Sequence, residues 1–508
     1  MRRLLLPLFA ISSLLLVAES RPRYGGTVKV LLHDRVASID PLGEEDRPAA
    51  RDRIAALVFE TLTSIDAQGH VRPGLASSWR SDPSRKSWQF RLRLANFHDG
   101  SVVTAADVAA SLARSNPAWK YSAPDRQTVT IDAPSPVQHM PEMLAVTRYS
   151  IIKRQGDGNS AVLTGTGPYK LTQWQPGERA QLAVNEDYWA GRAFPDAIEV
   201  QMGASLREQL LDRQLGPYSA AEVSVDQLRA LEQSNQNLAV SRPADLLALV
   251  FLQPGPPTPG FPDRAAVARD GMATRADFAR VGVEGDSPSR TGRKPVDARV
   301  REALGLALNR SAITSVLLQR RSAPASGLLP QWLTGYEFLF PGNLDIAHAR
   351  ELRSDAAAYV VITPIMLAYD ATDPLSKLVA ERIALDAREA GIVVQPYAES
   401  HINSRSARAS MNADAVLLRI PLQSLDPSVA LAALSDDLGV SPESVPAVLA
   451  ATRPEDLLDA ERKLLADHRM IPVAHLPQAI WLHGNVHNWQ EQMTGAWQLD
   501  QLWVEGAR

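Results

Sequence analysis

Trp88-Gln89-Phe90-Arg91-Leu92-Arg93-Leu94, followed by Phe97-His98-Asp99-Gly100 and Thr104-Ala105-Ala106-Asp107-Val108, is the stretch on which the fold turns. Trp88, Phe90, Leu92 and Leu94 alternate with polar residues, the period of a strand that buries one face. Asp99-Gly100 supplies turn chemistry, and Thr104 followed three residues later by Asp107 has the spacing of a capping box. A helix is therefore predicted over 105–114. Strand, turn and capped helix within so short a span indicate a mixed α/β chain.

Working outward, Gly25 to Leu32 reads as a turn feeding a buried strand, 51–59 as a helix, and Thr128-Val129-Thr130-Ile131 as an alternating strand. Further on, 206–215 is predicted helical, and Leu249 to Leu252 is a strand. Pro254 to Pro259 and the polar run 264–294 then separate it from the next element, far beyond the ~5 residues of an ordinary connection. Asp297 to Leu308 sets Val300, Ala303, Leu304, Ala307 and Leu308 on one helical face. A strand is predicted over 359–362, a helix over 376–390 stopped by Gly391, a strand over 392–394, and a helix over 455–468 before the strand 471–473.

Four motifs follow one another in fixed order: Pro73-Gly74-Leu75-Ala76-x-x-Trp79, Gly165-Thr166-Gly167-Pro168-Tyr169, Asn185-x-x-Tyr188-Trp189-x-Gly191 and Val300-Arg301-x-Ala303-Leu304. Together they resemble the family 5 extracellular solute-binding proteins, the dipeptide, oligopeptide and nickel receptors of ABC importers. The resemblance implies an α/β, two-lobed type II periplasmic binding protein fold with an additional subdomain in the larger lobe. The expected division is a signal peptide over 1–20, lobe I over 21–74 and 161–246, the extra subdomain over 75–160, lobe II over 247–470 with an insertion at 260–294, and a return to lobe I over 471–508. It also implies a small-molecule or peptide ligand, separate permease subunits as partners, and a monomer.

The N-terminus supports export independently. Arg2 and Arg3 precede the apolar run Leu4 to Ala18, and Ala18-Glu19-Ser20 offers a small-x-small cleavage site, although an uncleaved anchor is a minor alternative. Without any cysteine in the chain, no lipidated cysteine can follow the signal, so a free periplasmic protein is expected. The formal charge of −4 over 508 residues gives no reason to expect nucleic-acid binding. There is no Gly-Lys-Thr phosphate loop and no Gly-x-Ser-x-Gly elbow, so an enzyme has no starting residue and no cofactor is implied. His475, His483 and His487 form the local histidine cluster, but Gly484, Asn485 and Asn488 read as a turn and loop histidines explain the pattern without a metal.

Ligand-binding candidates come largely from the resemblance. Peptide receptors carry a Trp-x-x-Asp-Tyr-x-Asp-Pro type segment after a second-lobe strand. Here Asp414 to Leu418 matches the strand and Leu425-Asp426-Pro427 the ending. Gln423 then occupies the position from which those receptors present a carboxylate to an α-ammonium group. An amide carries no formal charge, so the dipeptide reading weakens while a modified peptide or another neutral or acidic solute stays open. Asp426 is expected to cap the helix after Pro427. Trp332 and Tyr336 resemble a family segment near the cleft. Arg301, like Arg310, could bind a carboxylate, and Tyr169 could join Trp174 and Trp189 in an aromatic platform, although core packing is the simpler role for all three aromatics. His98 reads as a turn residue. The competing function is a ligand sensor or envelope interaction protein on the same scaffold.

Overall fold

The computed structural model describes residues 22–43, 48–66, 68–156, 161–203, 218–234, 236–253, 295–438, 445–490 and 497–505. The expected leader over 1–20, helix over 206–215 and insertion over 260–294 lie outside the described residues. Among the described residues no helix is long and apolar enough to cross a membrane.

Two mixed sheets organise the molecule. The first orders seven strands as Tyr169–Gln175, Arg179–Val184, Ala197–Met202, Thr27–Leu32, Ala220–Glu222, Ala479–Leu482 and Leu238–Val240. Its Thr27–Leu32 strand runs parallel to both neighbours and is buried from Val30 to Leu32. The second orders six strands as Ala323–Pro324, Met470–Leu476, Asp245–Phe251, Ala415–Ile420, Ile365–Asp370 and Val394–Glu399. Every residue of Asp245–Phe251 and Met470–Leu476 is buried, as a sheet covered on both faces requires.

The chain crosses between the sheets at Val240 to Asp245 and at Leu476 to Ala479. The crossings bond to each other through Ser241 N to Gln478 O (2.9 Å) and Ala244 N to Leu476 O (2.9 Å). They are the hinge.

The stretch around Trp88 builds a four-stranded sheet in the order Ala76–Ser81, Ser87–Leu92, Thr128–Asp132 and Lys120–Ser122. Trp88, Phe90 and Leu92 are buried, whereas Leu94 lies past the strand end and is 74% exposed, so the inward face is one residue pair shorter than the alternation suggests. Gly100 takes φ +84°, which the turn requires. The helix Ala105–Ser115 carries the full box: Thr104 Oγ1 accepts from Asp107 N (3.3 Å), and Thr104 N donates to Asp107 Oδ2 (3.0 Å).

Several expectations need correction. Residues 359–362 form no strand: Tyr359 and Val361 are 79% and 89% exposed, and the strand starts at Ile365, whose side chain reaches the core. Likewise 392–394 contributes only Val394, the first residue of its strand. The strand holding 471–473 belongs to the second sheet, and the return to the first is made by Ala479–Leu482. Gly165 and Gly167 allow a close approach of two backbone segments, because a Cβ would meet Val58 O at 2.0 Å and Leu57 O at 2.8 Å.

Candidate functional site

Two of the four motifs, those around Gly165 and Asn185, knit the first lobe to the subdomain, while Val300, Ala303 and Leu304 pack in the core of the second. His98 N donates to Gly165 O (2.9 Å), and Gly167 O lies 3.0 Å from His98 Nε2 and accepts from Asn185 Nδ2 (3.1 Å). Tyr188 OH and Trp189 Nε1 both donate to Glu60 (2.8 and 2.9 Å), and the Arg93 guanidinium covers the Trp189 ring at 3.5 Å. Burial pushes the Glu60 carboxyl up to about 7. These residues line neither of the two cavities described next.

The opening lies elsewhere. A cavity of about 290 Å³ sits between the sheets, at the carboxyl ends of the parallel strands Thr27–Leu32, Ala220–Glu222 and Ile365–Asp370. Such strand ends are where α/β sheets hold ligands, because the backbone fans apart there and loops supply side chains. His33, Asp34, Arg53 and Glu222 line it from the first lobe, Asp370, Asp373, Arg419 and Pro421 from the second, and Asp245 and Gln478 from the hinge.

Its floor is a continuous charged network. Arg53 donates to Glu222 Oε1 (2.6 Å) and to Gln478 Oε1 (2.8 Å). Gln478 Nε2 donates to Asp245 Oδ1 (2.9 Å), and Arg419 donates to Asp245 Oδ2 through Nε and NH2 (3.0 and 2.8 Å). Burial favours the neutral Glu222 carboxyl, but the adjoining Arg53 guanidinium outweighs it and holds Glu222 below the usual carboxylate range. Asp370 accepts from Thr372 N (2.9 Å), and Asp373 caps the helix Pro374–Glu389 through Leu375 N (2.9 Å). A second hollow of about 590 Å³ is lined by Arg229, Gln319, Arg320 and Arg321 among others, away from the strand ends. The smaller cavity is the stronger candidate because both lobes and the hinge converge on it.

None of the five predicted ligand residues lines this cavity. Tyr169 is wholly buried in the first-lobe core, its hydroxyl donating to Leu499 O (3.3 Å). Trp332 Nε1 donates to Pro243 O (2.7 Å), tying the second lobe to the hinge. Tyr336 is buried and donates to Glu461 Oε2 (2.9 Å). Arg301 is spent on Asp467 O and Val296 O, and Arg310 is buried against the carbonyls of Pro472 and Gly305. Gln423 is half-buried and lies two residues beyond Pro421, where this segment leaves the cavity wall. Asp426 does cap its helix, accepting from Val429 N (3.0 Å).

The histidine cluster is dispersed. His475 is buried in the second lobe, where burial pushes it down to about 4, while His483 bonds to Asn485 and His487 stacks on Trp503 at 4.1 Å. Arg53, Glu222, Asp245, Arg419 and Gln478 escaped the sequence reading. One signal was present: Asp245 abuts an unbroken apolar strand, and Arg419 interrupts another.

Two α/β lobes, paired crossovers and a cavity at their junction define a two-lobed ligand-binding fold. The chain belongs to the bacterial extracellular solute-binding proteins, family 5, whose model matches residues 70–441. It is 29% identical over 212 residues to the probable D,D-dipeptide-binding periplasmic protein DdpA of Escherichia coli, covering 37% of this chain and 40% of that protein. It is 23% identical over 350 residues to the glutathione-binding protein GsiB of Escherichia coli, covering 65% and 61%. The chain thus spans less than two thirds of the length of these relatives. Among solved structures, Haemophilus influenzae OppA in complex with the peptide RPPGFSPFR superposes with a TM-score of 0.72 at 18% identity, covering 95% of this chain and all of that one (100%). Staphylococcus aureus NikA in complex with Ni(L-His)2 gives 0.72 at 16%, covering 94% and 100%. At these identities the structures show the shared fold.

Proposed function

We propose that the protein is a periplasmic receptor that captures a small peptide-like solute between its lobes and presents it to the permease of an ABC importer, acting as a monomer and without catalysis. The interlobe cavity carries this reading. A ligand touching both walls binds the closed arrangement better than an open one, and that difference is what shifts the population. At about 290 Å³ the cavity lies near the lower end of small-molecule sites, which suits a dipeptide-sized solute better than a long peptide.

Its charge narrows the class. Asp34, Glu222, Asp226, Asp245, Asp370 and Asp373 face two guanidiniums, Arg53 and Arg419, each already bonded to an acid of the lining. The excess of carboxylates favours a solute bearing an ammonium or other cationic group. The names of the dipeptide- and glutathione-binding relatives support a peptide-like ligand.

Native mass spectrometry of protein purified from its own periplasm tests the reading, with denaturing release to identify the retained molecule. A stoichiometric small solute is expected, together with a smaller radius of gyration when the emptied protein is resaturated. An empty protein that binds no short cationic peptide and shows no compaction overturns the proposal. A bound solute whose uptake survives deletion of the gene replaces delivery with sensing.

A further inference from the structure

We propose that His139, Glu142 and Asp426 form a divalent-cation site that joins the extra subdomain to the second lobe. His139 precedes the short helix Met140–Met143, and Asp426 precedes the helix Pro427–Asp437. His139 Nδ1 stands 3.0 Å from Asp426 Oδ2, and one donor atom from each of the three residues lies within 4.8 Å of the other two. All three side chains are half-buried.

Glu142 separates this trio from a simple ion pair. Among the described residues its carboxylate accepts only from its own backbone N–H, yet it faces the Asp426 carboxylate. Two acids therefore converge on one imidazole. Arg85 adds a positive field but is engaged over the Trp88 ring at 5.3 Å. The remaining oxygen of Asp426 accepts from Val429 N, which fixes the carboxylate as an outer-shell bond fixes a metal ligand. One imidazole nitrogen with two carboxylates suits Zn²⁺ and its first-row neighbours, whereas Mg²⁺ and Ca²⁺ favour oxygen throughout. A tetrahedral ion with bonds of ~2.1 Å holds its ligands roughly 3.4 Å apart, within reach of a rotamer adjustment of Glu142, and water supplies the fourth position.

The site depends on how the lobes meet. Gln138 N donates to Leu449 O across the same seam (3.1 Å). Separation of the subdomain from the second lobe splits the ligand set, so the cation favours the joined arrangement whatever solute occupies the cleft.

The test uses the full chain, tag-free and chelator-treated, titrated with Zn²⁺ by calorimetry. One-to-one binding is expected. Glu142→Gln, Asp426→Asn and His139→Ala are each expected to weaken it at least ~10-fold, with circular dichroism and thermal transitions confirming that the variants fold. Glu142→Gln is decisive because it leaves the His139 to Asp426 bond intact. Absence of one-to-one binding, or unchanged affinity in folded Glu142→Gln, overturns the site.

Discussion

The hinge and the seam hold similar residue types and differ in balance. At the hinge, Arg53 meets Glu222, Arg419 meets Asp245, and Gln478 donates to one pair while accepting from the other. At the seam, two carboxylates share one imidazole, and all three side chains keep partial access to water. A polar cluster whose donors and acceptors match is a brace, because breaking it strands a buried charge. A cluster with surplus acceptors is a binding site in waiting.

Glu461 is the limiting case, a buried carboxylate with donors but, among the described residues, no cation in ion-pair contact. Leu328 N (2.5 Å), Leu329 N (3.2 Å) and Tyr336 OH (2.9 Å) bond to it, and burial pushes its pKa from 4.5 up to about 7. The folded chain therefore retains a proton that the unfolded chain releases above about pH 4.5. Stability falls as pH rises through this window and levels off above about 7, by up to about 3 kcal/mol. Glu461→Gln keeps the acceptor and removes the titration, so urea midpoints at pH 5 and pH 8 are expected to differ less in the variant. Glu60 contributes a slope of the same sign, so the measured quantity is the difference between the two proteins. Equal slopes would show that Glu461 ionises freely inside the fold.

Arg419→Ala tests the brace directly. It leaves Asp245, 3% exposed, with the Gln478 amide as its one remaining side-chain donor among the described residues. A wholly buried pair broken this way costs ~3–5 kcal/mol, and because the Arg419 side chain is 38% exposed the expected loss is about 2 kcal/mol in urea unfolding. A loss below about 0.5 kcal/mol would place the hinge network in the same class as a surface ion pair.

What was legible in the sequence follows the range of the interactions. The capping box at Thr104, the inward faces of Trp88 and Val300, and the helix stop at Gly391 depend on neighbours a few residues away, so their pattern is local. The cleft floor is assembled by contacts such as Arg53 to Gln478 and Arg419 to Asp245, which no local period records. The aromatic candidates lie away from the cavity for a related reason. Trp332 and Tyr336 have polar ends that look available in sequence, but Pro243 O and Glu461 occupy them.

The smallest expected effect completes the comparison. His139 is 33% exposed and Asp426 14%, so in metal-free protein their bond has solvent as a competitor at both ends. His139→Ala is therefore expected to cost less than about 1 kcal/mol of stability, well under the loss for Arg419→Ala. Asp426 keeps its helix cap in that variant, because Val429 N bonds to the oxygen that His139 does not use. The same unfolding experiment with saturating Zn²⁺ is expected to separate the proteins further, since only the chain with all three ligands gains the stabilisation of a bound cation. If the gap between His139→Ala and the parent is the same with and without Zn²⁺, the seam is only a weak ion pair, and its surplus carboxylate is a feature of a wet surface.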